Sequence, residues 1–311
     1  MQKIKVSLIG YGYWGSKLAR NFQNSDFFNL VSIIDTSKKN LHRAKKDFPL
    51  VHANKDYQDI LKIKNLSLVV ISTPTKTHFK IAKFALGNHK NVLVEKPLSL
   101  SLSNVNELEN IAKKNKKLLF VDYPFLFSGS VNFIKKIVNS NKYGNLMEIE
   151  SFREQAPIRK DCNVVWDLSV HDISILNYIL NAVPKDLKSL KIKNYSSTLS
   201  DTAYLNLFFK NGPNVFLKSS WISPIKIRLM KFKFKKAIIH CDENEPIYKI
   251  KIFTKKNKKS LEYNVQIPEI NLSEPLSNLV NYIYKSLKNN NNIIFENNFN
   301  LKVTRILKKL A

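Results

Sequence analysis

Asp167 and His171 stand four residues apart in Val164 to Leu180, a stretch whose other members are mostly apolar. On a helix that spacing puts the carboxyl and the imidazole on one face. A polar pair on so apolar a helix is expected to be buried, which is costly unless the pair has partners or a task. The task it suits is proton transfer, with the carboxylate orienting the imidazole and stabilising its protonated form. The plainer alternative is a satisfied Asp-His hydrogen bond inside a core. No third ligand for a metal accompanies the pair, and Cys162 and Cys241 lack any CxxC or Cys/His spacing, so no metal site is expected.

A second group of residues suits a dinucleotide. Gly10-Tyr11-Gly12-Tyr13-Trp14-Gly15 forms a GxGxxG between an apolar strand and a helix. Gly10 serves the tight turn, a pyrophosphate can approach the backbone only where Gly12 has no side chain, and Gly15 permits close helix packing. With seven glycines in 311 residues, three at those positions arise by chance about three times in a thousand. Twenty residues on, Asp35 ends the second strand, where a carboxylate accepts hydrogen bonds from ribose hydroxyls and repels a 2′-phosphate. NAD is therefore favoured over NADP, with Ser37, Lys38 and Lys39 as the residues that could accommodate the phosphate. Lys96 falls at the carboxyl end of a further buried strand, the side on which such sheets bind ligands. Its ammonium could hold a substrate oxygen or, with a lowered pKa, take the proton itself.

Positioning these groups requires a particular order of elements. Apolar runs at Ile4 to Ile9, Leu30 to Ile34, Leu66 to Ile71, Val92 to Val94 and Leu118 to Val121 alternate with helical patterns at Lys17 to Phe22, Thr77 to Leu86 and Leu102 to Lys114. Continuous apolar strands between helices predict a doubly wound parallel sheet covered on both faces. After Tyr123 a helix (Ser130 to Val138), a strand (Met147 to Arg153) and the helix Val164 to Leu180 precede several strands with two-residue alternation. These are Tyr204 to Phe209, Val215 to Trp221, Ile225 to Phe234 and Ile247 to Phe253, which predict a large, mostly antiparallel sheet. Helical patterns return at Pro275 to Leu287 and Asn300 to Leu310.

Composition excludes several classes. Hydrophobic residues at 44% with 24% charged residues describe a globular chain, and no apolar run approaches the roughly 18 residues of a spanning helix. The N-terminus reads as a first strand and not as a signal peptide, and two separated cysteines fit a reducing cytoplasm. A net charge of +27 suggests a nucleic-acid partner, yet only six of the 51 basic residues are the forked arginine favoured at phosphates and bases. The lysines are spread along the chain, so a solvated surface is expected and no nucleic acid.

The fingerprint, Thr73-Pro74-Thr75 with His78, Glu95-Lys96-Pro97, Asp167-Leu168-Ser169-Val170-His171-Asp172 and Glu274-Pro275-Leu276 together resemble the glucose-fructose oxidoreductase, inositol dehydrogenase and MocA family, in the same order along the whole chain. The resemblance implies a nicotinamide-dependent dehydrogenase. It would comprise an α/β Rossmann domain over residues 1–122 and an α+β domain over 123–311, whose open antiparallel sheet carries substrate contacts and a homo-oligomer interface. Around the cofactor it implies Gly10, Gly12, Tyr13, Trp14, Gly15, Asp35, Thr73, Pro74, His78, Glu95 and Lys96, although His78 suits an ordinary helix start equally well. In catalysis it implies His171 as acid/base, Asp167 as its orienting partner and Lys96 as the polar clamp. Lys96, Tyr123, Arg153, Arg159 and His171 are the expected substrate contacts. Arg153, Arg159 and Lys160 suit a diphosphate or carboxylate, so a nucleotide-linked sugar is expected. The alternatives are a cyclitol or free aldose, a ligand-sensing regulator on the same fold, and rim ion pairs of the arginines with Glu150 or Glu154. The Lys96-Pro97 bond is a candidate cis peptide. Relatives carry an arginine near Val121-Asp122-Tyr123 that this chain lacks, so their substrate contacts do not transfer directly.

Overall fold

The computed structural model describes residues 2–195, 198–257, 262–296 and 298–311. In chain order its main elements are β1 (Ile4–Ile9), α1 (Tyr13–Gln23), β2 (Phe28–Ile34), α2 (Lys38–Asp47), β3 (His52–Asn54), β4 (Leu66–Ile71), α3 (Thr75–Gly87), β5 (Asn91–Glu95), α4 (Leu102–Lys114) and β6 (Leu119–Asp122). There follow α5 (Gly129–Ser140), β7 (Leu146–Glu154), α6 (Val170–Leu180), β8 (Asp186–Ile192), β9 (Thr202–Phe208), β10 (Asn214–Ser220), β11 (Ile227–Phe234), β12 (Ile238–Asp242), β13 (Ile250–Lys255), β14 (Tyr263–Gln266), α7 (Pro275–Asn289) and α8 (Phe299–Leu310). The chain divides into two compact units, residues 1–124 with 274–304, and residues 125–273 with 305–311.

The first unit is built on a six-stranded sheet of order β3-β2-β1-β4-β5-β6, parallel throughout. This is the doubly wound order whose ligand crevice lies beyond the carboxyl ends of the strands. The central strands are apolar on both faces because helices cover both: Leu68, Val69, Val70 and Ile71 of β4 are all wholly buried. Residues 274–304 were expected in the second domain and belong instead to this unit. α7 turns Leu276, Leu279, Val280 and Ile283 inward. Tyr284 stacks on Phe27 at 4.0 Å between ring centres, and Phe295 contacts both Phe120 and Tyr123. Apolar burial thus returns the tail to the sheet it follows by some 150 residues.

The second unit carries an eight-stranded sheet of order β14-β13-β12-β11-β7-β10-β9-β8. Every pairing is antiparallel except β7 with β10. Its strands alternate, Leu205 and Leu207 of β9 facing inward and Tyr204 outward, as a half-solvated sheet requires. Both sheets agree with the sequence expectation. The helix expected over Val164 to Leu180 does not run as one α-helix, because residues Val165–Ser169 form a π turn ahead of α6. Such turns are frequent at functional sites.

Candidate active site

In the first unit the fingerprint glycines divide by what surrounds them. Gly10 has φ +96°, and a Cβ on it would lie 2.4 Å from the Ser72 carbonyl oxygen; a Cβ on Gly15 would lie 2.0 Å from the Gly10 carbonyl oxygen. These two are required by the turn itself. A Cβ on Gly12 would meet nothing within 4 Å, so that glycine leaves open space at the start of α1. α1 has no side-chain cap and no acid in its first turn, which leaves its N-terminal amides available to an anion. Asp35 ends β2 as expected. Its Oδ2 accepts from the Tyr11 amide (2.7 Å) and from Asn40 Nδ2 (3.1 Å), and its Oδ1 from the Ser37 amide (2.8 Å). Lone pairs beyond these three bonds remain for a ribose hydroxyl. The residues present therefore fit a dinucleotide.

Two contacts here escaped sequence reasoning. Arg43 Nη2 donates to the Tyr11 carbonyl at 2.6 Å, fixing the fingerprint turn from α2. Trp14 Nε1 donates to Asp122 Oδ2 at 2.5 Å, tying the start of α1 to the end of β6. The only sequence signal for Asp122 was a carboxylate ending a buried strand, as Asp35 does. Tyr13 is 77% exposed beside the turn.

Lys96 follows β5 and is buried, and its bond to Pro97 is cis, as expected. Its amide donates to Glu95 Oε2 at 2.6 Å. His78 departs from the expected cofactor contact. Its ring is buried, with Nδ1 2.9 Å from the Pro97 carbonyl oxygen and Nε2 2.8 Å from that of Thr73, so it ties the loops after β4 and β5 together. Thr73 accepts a hydrogen bond from Thr77 Oγ1 at 2.7 Å, and Pro74 precedes α3. Tyr123 is a correction as well. It is 1% exposed and packed on Phe295 and Phe299, so its ring belongs to the core and is not presented to a substrate.

In the second unit Asp167 lies on the π turn and His171 in the first turn of α6. Asp167 is buried, its Oδ2 accepting from Trp221 Nε1 at 2.9 Å and its Oδ1 from Arg159 Nη1 at 3.4 Å. The expected single continuous α-helix is interrupted between the two residues, and the Asp167 carboxylate is held from β10's end and from the preceding loop. Trp221 is the partner the sequence did not reveal. His171 is half-buried, its ring edge-on to Phe125 at 5.1 Å.

Arg153 does not offer its guanidinium to a ligand. It is 3% exposed and donates to both Asp172 oxygens, Nε at 3.1 and 3.0 Å and Nη2 at 2.8 Å, while Phe125 lies 4.5 Å from its central carbon. Arg159 is partly exposed and clasps Asp161 through Nε (2.8 Å) and Nη2 (2.7 Å). Neither arginine pairs with Glu150 or Glu154, which instead meet Lys231 and Lys218.

Residues 4–123 match the Gfo/Idh/MocA family, described as an oxidoreductase family with an NAD-binding Rossmann fold. The match covers that stretch of the chain. It is the fingerprint-bearing unit whose glycines, Asp35 and α1 terminus fit the dinucleotide. Myo-inositol 2-dehydrogenase of Thermotoga maritima is 27% identical over 184 residues, 57% of this chain. The chain spans 55% of that relative's length. UDP-N-acetylglucosamine 3-dehydrogenase of Acidithiobacillus ferrooxidans has the same fold, with a TM-score of 0.87 at 17% identity over 100% of this chain and 97% of that one. An Agrobacterium radiobacter oxidoreductase, solved with NAD+, L-tartaric acid and magnesium, superposes with a TM-score of 0.86 at 15% identity over 99% and 95%. Among the described residues no helix is long and apolar enough to cross a membrane.

Proposed function

We propose that the chain is an NAD-linked dehydrogenase acting on a carbinol of a sugar, with a nucleotide-linked sugar as substrate. The observation that carries the reading is Lys96, a buried lysine at the carboxyl end of β5, on the same strand-end row as the fingerprint turn and Asp35. NAD bound by the fingerprint supplies the hydride acceptor or donor. Oxidation of a carbinol also releases the hydroxyl proton, so the chain must accept it. His171 takes that role, with Asp167 supporting the developing positive charge in the second unit. The Lys96 ammonium holds the substrate oxygen and steadies negative charge as the proton leaves. Gly12 and the α1 amides hold the pyrophosphate, and Asp35 the adenosine ribose.

With Arg153 committed to Asp172, anion recognition falls to Arg159 and Lys160. One similar structure acts on a UDP-linked amino sugar and one similar sequence on myo-inositol. The enzyme is read as cytoplasmic, and as an oligomer joined through the outer face of the eight-stranded sheet.

The test is NADH absorbance over a panel of UDP-linked sugars, cyclitols and free aldoses. Lys96→Ala and His171→Ala should each lower kcat about a hundredfold or more with NADH affinity retained, the usual scale of such contributions. Unchanged turnover in either variant removes that residue from the mechanism. Faster turnover of free myo-inositol than of every nucleotide sugar replaces the substrate class and leaves the dehydrogenase reading intact.

A further inference from the structure

Asp122 is wholly buried at the end of β6, directly opposite Glu95 in the parallel register of β5 and β6, and so one residue from Lys96. One oxygen, Oδ2, is fixed by the Trp14 indole at 2.5 Å. The other, Oδ1, is buried and, among the described residues, has no hydrogen-bond partner. A buried carboxylate oxygen left in that state is expensive, so it calls for either a proton or a cation. Burial pushes the carboxyl up to about 6, while the Trp14 hydrogen bond and the positive charge of Lys96 pull the other way. The charged groups around it are Lys96 and Glu95 at the end of β5 and, beyond the indole, Lys17, whose ammonium lies 5.1 Å from the Trp14 ring centre. Among the described residues only Lys96 has both the sign and the place to answer Oδ1.

We propose that Asp122, held by Trp14, is the counter-charge that positions the Lys96 ammonium in the dehydrogenase reaction. This rests on the reading of Lys96 as the clamp on the substrate oxygen. The arrangement gives Trp14 a second duty besides opening α1. Through one carboxylate, the fingerprint helix sets where the lysine after β5 is held. A carboxylate under the lysine also explains how a cation is tolerated at 9% exposure beside an apolar sheet. Asp122 touches neither substrate nor cofactor in this account and is a positioning residue.

The Trp14 indole N–H reports on Asp122 directly, so the coupling can be read without a substrate. In protein labelled with 15N-tryptophan, three indole signals are expected from three tryptophans, and Trp14→Phe assigns one. That signal should titrate with pH in the wild type and lose the titration in Asp122→Asn, which keeps an acceptor for the indole. In Lys96→Met its midpoint should rise by about one pH unit or more, because removing an opposite charge disfavours the ionised carboxyl. With the substrate found by the panel, Asp122→Asn should lower kcat about tenfold and leave the NADH dissociation constant within threefold. Asp122→Glu should restore part of kcat. An unchanged midpoint in Lys96→Met, or an unchanged kcat in Asp122→Asn, overturns the proposal. A shifted midpoint accompanied by full turnover in Lys96→Ala removes the catalytic clamp instead, and the positioning role with it, while the charge coupling itself stands.

Discussion

Replacing Arg153 with alanine would leave the Asp172 carboxylate buried at 1% exposure with its bidentate partner gone. Stranding a buried charge in this way costs about 3–5 kcal/mol, so a large fall in the urea midpoint is expected. Arg153→Met with Asp172→Leu should recover most of that loss, because no charge is then stranded. Equal midpoints for Arg153→Ala and wild type would show that the pair is not the buried anchor described. Glu109 offers a pH test of the opposite sign. Burial raises its carboxyl to about 7, with an Asn300 hydrogen bond opposing. The folded chain therefore keeps this proton after the unfolded chain has lost it near pH 4.3, and stability falls as pH rises between those values. Glu109→Gln should be more stable than wild type at pH 8, on the order of 1 kcal/mol for a half-buried group, and indistinguishable from it at pH 4. At this scale Gly10, Gly12, Asp35 and Lys96 were legible because each residue type has a positional meaning at a strand end. Arg153 misled because a forked cation reads the same in a ligand site and in a core ion pair. Asp122 and Trp221 were hidden because their partners lie 108 and 54 residues away.

The fingerprint turn separates glycines needed by the fold from the glycine left for the ligand. Gly15→Ala forces a Cβ against the Gly10 backbone, so both the melting temperature and NADH affinity should fall. Gly12→Ala enters open space, so the melting temperature should hold while NADH affinity drops about tenfold or more. Calorimetry and NADH fluorescence titration on the two variants decide this; retained affinity in Gly12→Ala would mean that the open space at α1 is not the pyrophosphate seat. Elements with a strong period were read from sequence nearly to their ends, as Leu102–Lys114 shows. β3, with three residues, and β14, with four exposed ones, carry too little apolar pattern to be seen. The π turn was missed for a different reason: a π turn is a local widening within a helix, and Val165–Ser169 carries the same apolar pattern either way.

Across the whole molecule, the net charge of +27 coexists with an outer sheet face whose charges are largely answered in place. Lys231 meets Glu150 at 3.3 Å, Lys233 meets Glu148 at 3.8 Å and Lys218 meets Glu154 at 3.0 Å. Between these pairs Tyr204 and Phe216 stand 42% and 39% exposed, on adjacent strands of a face that turns its other side to the core. Cross-strand ion pairs lower the repulsion between two copies of so basic a chain, and the aromatic rings supply apolar area for contact. A nucleic-acid surface would instead leave its cations unpaired along one stripe. The two uses predict opposite responses to salt. Self-association driven by aromatic burial should persist in sedimentation from 50 to 500 mM salt with a mass of at least twice 36.0 kDa. Phe216→Glu, which puts a new charge among those rings, should shift the distribution to the single chain without altering the melting temperature of the Rossmann unit. A monomer at every salt concentration would remove the sheet face from the assembly, and DNA retention that falls steeply with salt would return the lysines to a nucleic-acid role.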